Sequence, residues 1–208
     1  MRVEIAFFDA DGVLLDSSRL AWSAARDLLS LFGEAPCIDN GDAYRRHFGR
    51  EAQIRAAGED GASALRAMHR VLMRHRCDSV RAFSDVVDVA KRLTIPAAII
   101  TGAYATGIRR TLGASAPNFR DIFGREHGPK AELLARFVTG RREIYVCDTV
   151  MDVMLCRRLG IRCVAVTWGY DTAGDLASCC PDYLLGSVAE LVRLLQTFGV
   201  IRDDNNGE

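Results

Sequence analysis

Five short apolar runs recur along this chain of 208 residues: Val3–Phe8, Ile95–Ile100, Ile144–Cys147, Cys163–Val166 and Tyr183–Leu185. They are too uniformly apolar for half-exposed strands, so they read as strands buried on both faces. Helical spacing fills the intervals. Val86, Val87, Ala90 and Leu93 precede the second run, and Leu133, Leu134, Phe137 and Val138 precede the third. Val153, Met154, Leu155, Cys156 and Leu159 follow the third, and Val188, Leu191, Val192 and Leu195 close the series. Strand–helix alternation of this kind predicts an α/β fold: a Rossmann-like parallel sheet with helices on both faces.

One stretch interrupts the alternation. Residues 17–80 contain no strand pattern, but Ala21, Ala25, Leu28 and Phe32, then Leu65, Met68 and Leu72, recur at helical spacing. The expected organisation is an α/β core of residues 1–16 and 81–201, a small all-helical cap of residues 17–80, and a polar disordered tail of residues 202–208. An insertion that leaves right after the first strand is placed to cover whatever lies at that strand's end.

Ligands bind open parallel sheets beyond the carboxyl ends of the strands. The first run ends in Asp9-Ala10-Asp11-Gly12, the second in Thr101-Gly102, and the third in Asp148 with Asp152 four residues on. Each alone has an ordinary reading as a cap or turn residue. Asp9 and Asp11 are harder to dismiss, because two neighbouring acids at the rim of a core repel each other without a cation or a shared proton. Only two lysines occur, Lys91 and Lys130, and Lys130 opens a helical segment near the third run. Carboxylates, a hydroxyl and a lysine gathered at one edge suit a hard cation and attack on a phosphoryl group.

The bulk properties are neutral. Lys+Arg and Asp+Glu are both 27, so no electrostatic pull toward nucleic acid or an anionic membrane is implied. No apolar run approaches a membrane span, and the first residues carry no secretory signal pattern. The seven cysteines are odd in number and lack paired spacing, so neither a disulfide framework nor a zinc site is indicated, and a reducing cytoplasm is expected.

These motifs resemble those of the haloacid dehalogenase superfamily, in its phosphoglycolate-phosphatase-like branch with a helical cap. Phe7-Phe8-Asp9-Ala10-Asp11-Gly12-Val13-Leu14-Leu15-Asp16-Ser17 is similar to the first family motif and Ile99-Ile100-Thr101-Gly102 to the second. Lys130 stands for the third, in a Gly-Pro-Lys context. Cys147-Asp148-Thr149-Val150-Met151-Asp152 is similar to the fourth, with Cys147 where the family usually has glycine. The stretches Trp168-Gly169-Tyr170 and Pro181-Asp182-Tyr183 add to the likeness.

The resemblance implies a Mg2+-dependent phosphomonoester hydrolase acting on a small phosphorylated metabolite. Asp9 would be the nucleophile and Asp11 the acid/base. Asp9, Asp11 and Asp148 would hold Mg2+, the Asp11 contribution coming from its backbone carbonyl. Thr101, Gly102 and Lys130 would bind phosphate, and Asp152 would orient Lys130 or a metal-bound water. The lysine-free insertion argues against a branch that needs a Schiff-base lysine in the cap. Arg45, Arg46 and Arg50, in Tyr44-Arg45-Arg46-His47-Phe48-Gly49-Arg50, are candidates to grip a second anionic group. His47 and His69 are expected at the surface or between domains rather than as ligands. A phosphomutase with the same covalent intermediate, or a non-catalytic binding protein, is the alternative, and monomer and homo-oligomer are equally open.

Overall fold

A computed structural model describes residues 2–18, 80–138 and 142–202, together with positions 20, 23, 27, 67 and 71. The chain divides into two compact units, Met1–Asp16 with Ala82–Glu208, and Ser17–Arg81. The helical-cap expectation lies almost wholly outside the described residues, as do Arg45, Arg46, Arg50, His47, His69 and the tail beyond Arg202.

Six strands form the sheet of the first unit. They are β1 (Ile5–Phe8), β4 (Ala97–Ile100), β5 (Asp121–Phe123), β6 (Glu143–Cys147), β7 (Arg162–Val166) and β8 (Tyr183–Leu185), in spatial order β5-β4-β1-β6-β7-β8. Every pairing is parallel. The two-residue strands β2 (Leu15–Asp16) and β3 (Arg81–Ala82) pair with each other. The expected α/β parallel sheet is therefore present, with one strand more than the apolar runs indicated. β5 is only three residues long and sits at the sheet edge with Asp121 exposed, so it carries no buried-strand signature.

The described α-helices of the first unit are α1 (Ser84–Arg92), α2 (Ala105–Leu112), α3 (Lys130–Ala135), α4 (Val150–Leu159), α5 (Ala173–Ser178) and α6 (Val188–Thr197). Their inward residues are those at helical spacing, such as Val86, Val87 and Ala90 in α1 or Leu191 and Leu195 in α6. One face of the sheet packs Phe7, Ile100, Tyr145, Cys147 and Cys163 against Leu133 and Leu134 of α3, Val153 and Cys156 of α4, and Leu176 of α5. The uniform burial of β6 and β7, every residue of each, explains why their sequences read as continuous apolar runs.

β1 is central, flanked by β4 and β6. The chain goes from β1 outward to β4 and β5 on one side, then crosses to β6 on the other. Strand order reverses there, which opens a crevice at the carboxyl ends of the three middle strands.

Candidate active site

Register brings the predicted residues to one edge. Phe8 of β1 lies level with Ile99 of β4 and Val146 of β6. Asp9, Thr101 and Asp148 thus leave three adjacent strands within a residue or two of the same level. Backbone bonds continue the ladder past the strand ends, with the Asp9 amide donating to Val146 O at 2.9 Å and the Thr101 amide to Phe123 O at 3.0 Å. Asp9, Thr101, Asp148 and Asp152 are all buried, at 6%, 1%, 0% and 5% exposure.

Lys130 joins them from α3. Its Nζ donates to Asp9 Oδ2 at 2.6 Å and to Asp152 Oδ2 at 2.8 Å. A cation in the first turn of a helix opposes the helix dipole, so the two carboxylates must compensate it. Nζ also lies 5.4 Å from the centre of the Tyr145 ring, and the Tyr145 hydroxyl donates to Ile100 O at 2.9 Å.

Asp152 is held by the cap of its own helix. Thr149 sits at the N-cap of α4, accepting from the Asp152 amide at 3.3 Å and donating to Asp152 Oδ2 at 2.9 Å. One carboxylate oxygen therefore receives both the Thr149 hydroxyl and the Lys130 ammonium.

Asp148 lies between two backbones. A side chain on Gly12, whose φ is +78°, would strike its carboxylate, and so would one on Gly169. Only glycine lets both segments approach this closely. The Tyr170 amide donates to Asp148 Oδ2 at 2.8 Å. Asp171 ties the same loop to the start of α4, accepting from the Val150 amide at 2.7 Å and donating from its own amide to Asp148 O at 3.2 Å. Asp148 Oδ1 is buried and has no hydrogen-bond partner among the described residues.

The electrostatics follow from this crowding. Burial pushes the Asp9 carboxyl up to about 7; Lys130 opposes the shift, and Asp152 and Asp11 add to it. Asp148 is also raised well above the usual carboxylate range, by burial first and then by Asp9, with the Tyr170 amide opposing. Burial pulls Lys130 down, but Asp9 and Asp152 outweigh it and hold the ammonium charged.

Side-chain oxygens of Asp9, Asp148 and Asp152 lie within 4.8 Å of one another. Three ionised carboxylates against one ammonium leave two negative charges, which a divalent cation cancels. The donors are hard oxygens and one of them is buried without a partner, so the residues present fit Mg2+.

Asp11 is half-buried in the turn after β1, in a bridge with Leu15. Gly102 is exposed beside Thr101, whose hydroxyl accepts from the Ala103 amide at 3.2 Å. Trp168 is half-buried and donates from Nε1 to Val13 O at 3.3 Å, joining the β7 loop to the turn that carries Asp11. Cys147 is fully buried and packs in the core of the sheet. Sequence reasoning missed Thr149, Gly169, Asp171 and the Tyr170 amide. Thr149-Val150-Met151-Asp152 does carry the hydroxyl-x-x-acid spacing of a capping box, and that spacing was the available signal for Thr149.

No family model matches the chain. The chain is 27% identical to the phosphoglycolate phosphatase of Synechococcus elongatus, covering 92% of this chain and 96% of that protein. It is 26% identical to phosphoglycolate phosphatase 1 of Pseudomonas aeruginosa, over 90% of this chain and 78% of that protein. Among solved structures, a haloacid dehalogenase-like hydrolase family protein from Streptococcus pneumoniae superimposes with a TM-score of 0.75 at 23% identity, covering 93% and 99% of the two chains.

Proposed function

We propose that this chain, whose fold and relatives are those of the haloacid dehalogenase superfamily, is a phosphatase that uses Asp9 as its nucleophile and Mg2+ as its cofactor. The observation that carries this reading is the Lys130 bridge from Asp9 to Asp152, set beside the unpartnered Oδ1 of Asp148. A carboxylate attacks an anionic phosphate only where positive charge is fixed around both.

In this mechanism an Asp9 oxygen forms a bond to phosphorus as the bond to the leaving oxygen breaks. Asp11 protonates that leaving oxygen and afterwards takes a proton from the water that hydrolyses the aspartyl-phosphate. Thr101 and the Gly102 amide hold phosphoryl oxygens. Lys130 neutralises Asp9 and the equatorial oxygens, and Asp152, fixed by Thr149, holds the ammonium in place. Asp9, Asp148 and the Asp11 carbonyl would hold Mg2+, whose chemistry there is to cancel the surplus negative charge and polarise the phosphoryl group.

The substrate is a small phosphorylated metabolite. The names of the relatives support a short phosphorylated acid, and Arg45, Arg46 and Arg50 are the residues proposed to grip its second anionic group. The cytoplasm remains the proposed location, supported by the free thiols of the described cysteines.

The test is phosphate release from a panel of phosphorylated metabolites, with and without Mg2+. Wild type should release phosphate only with the cation, and Asp9→Asn should release none while keeping the native circular dichroism spectrum. Undiminished turnover by Asp9→Asn would overturn the choice of nucleophile. Alanine at Arg45, Arg46 and Arg50 should raise KM most for substrates bearing a carboxylate; an unchanged substrate ranking would remove these residues from specificity.

A further inference from the structure

Behind Asp148 the core holds a group of thiols that the proposed chemistry does not use. Cys147 ends β6, Cys156 lies on α4 one turn after Asp152, and Cys163 is in β7. They come from three separate elements and are 0%, 0% and 2% exposed. Their sulfurs all lie within 4.8 Å of one another, and Cys147 and Cys163 Sγ are 3.6 Å apart. Spacings of nine and seven residues in sequence conceal this convergence.

The backbone decides what such a group can do. Cys147 lies level with Ala165, and Cys163 with Tyr145. An offset of two residues between neighbouring strands puts the two Cα atoms about 8 Å apart. A disulfide needs them within about 7 Å, so the sheet itself opposes that bond. Bridging through a central atom has no such limit. Three sulfurs bound at about 2.3 Å to one pyramidal atom sit about 3.5 Å apart, close to the 3.6 Å between Cys147 and Cys163 Sγ.

Charge then selects the kind of atom. Three thiolates around a divalent ion leave a net negative charge in an apolar core, at heavy cost. Around a trivalent centre that takes three sulfurs and needs no fourth ligand, the product is neutral. We propose that Cys147, Cys156 and Cys163 form a buried three-sulfur site for a single trivalent thiophilic centre of the arsenite class. Arsenous acid reacts with three thiols so that each As–O bond is replaced by an As–S bond. Each hydroxyl takes a thiol proton and leaves as water, and no oxidation state changes. Entry requires local opening of the core, so uptake is slow.

Cys179 and Cys180, half-buried and exposed, are a competing pair, and Cys37 and Cys77 lie outside the described residues. The experiment therefore uses the full chain with these four changed to serine, incubated with arsenite over hours. The intact mass of the folded protein should gain one arsenic and lose three hydrogens, and the Tm should rise, since the folded arrangement alone holds three sulfurs ready around one centre and so binds it more tightly than the unfolded chain. Cys156→Ala in that background should lose both effects, with Cys163→Ala as a second variant should the first not fold. No adduct on folded protein overturns the proposal. So does an adduct that keeps a hydroxyl, which reports only two sulfurs, or one that persists in Cys156→Ala.

Discussion

At the scale of single residues, the position of Asp148 is set more by what is missing around it than by what holds it. Gly12 and Gly169 leave room for its carboxylate, and an added methyl at either would collide with it. Gly169 is the cleaner probe, because it does not share the left-handed conformation of Gly12. Gly169→Ala should displace the Asp148 carboxylate and lower kcat on the order of 100-fold, the scale of an ångström's misplacement at a reacting centre. The far-ultraviolet circular dichroism should stay native. A variant with full kcat would show that the site tolerates a displaced Asp148, and the place given to it beside Asp9 would fall.

At the scale of elements, the cap of α4 links helix stability to the site. The Thr149 hydroxyl satisfies the Asp152 amide and also fixes the Asp152 carboxylate that receives Lys130. Thr149→Val keeps the volume and removes both bonds. The lost cap should cost about 1 kcal/mol, a fall in Tm of about 2–4 °C for a chain of this size. The activity loss should exceed what that small destabilisation explains, because Lys130 loses a fixed partner. Equal losses in Thr149→Val and in an α4 surface variant of matched Tm would reduce Thr149 to a helix cap alone.

The same scale shows what could be read from sequence. β1, β4 and β6 were legible because each is buried on both faces and ends in a polar residue at the rim, so Asp9, Thr101 and Asp148 declared both the sheet and its working edge. β5 was not, since a three-residue edge strand with an exposed Asp121 has neither the length nor the uniform burial to stand out. The Tyr170 amide and the close approach of Gly169 were invisible for a different reason. They act through backbone, and backbone has no side-chain signature; only the fold reveals which amide meets which carboxylate. The three cysteines show a third limit, because a cluster built from separate elements leaves no spacing to recognise.

At the scale of the whole molecule, the crowded acids make stability depend on pH and on a cation together. The Asp9 carboxyl has an ordinary value of 3.8 and is raised to about 7 by burial, against Lys130 and with Asp152 and Asp11. Between those values the folded chain holds a proton that the unfolded chain has released. Stability from this group is complete below the lower value and is lost as pH rises through the higher one. Asp148 is shifted in the same direction and adds to the loss. A divalent cation binds the ionised carboxylates and competes with their protons, so it should stabilise the fold little in acid and strongly above neutrality. In EDTA the Tm should therefore fall between about pH 5 and about pH 8.5, and Mg2+ should restore more of it at the alkaline end. Asp9→Asn removes one of the two raised carboxyls, so it should flatten the fall in EDTA and shrink the Mg2+ effect. Mg2+ that raised the Tm equally at both pH values would mean the cation does not meet the titrating carboxylates, and its placement at Asp9 and Asp148 would have to be abandoned even if turnover required it.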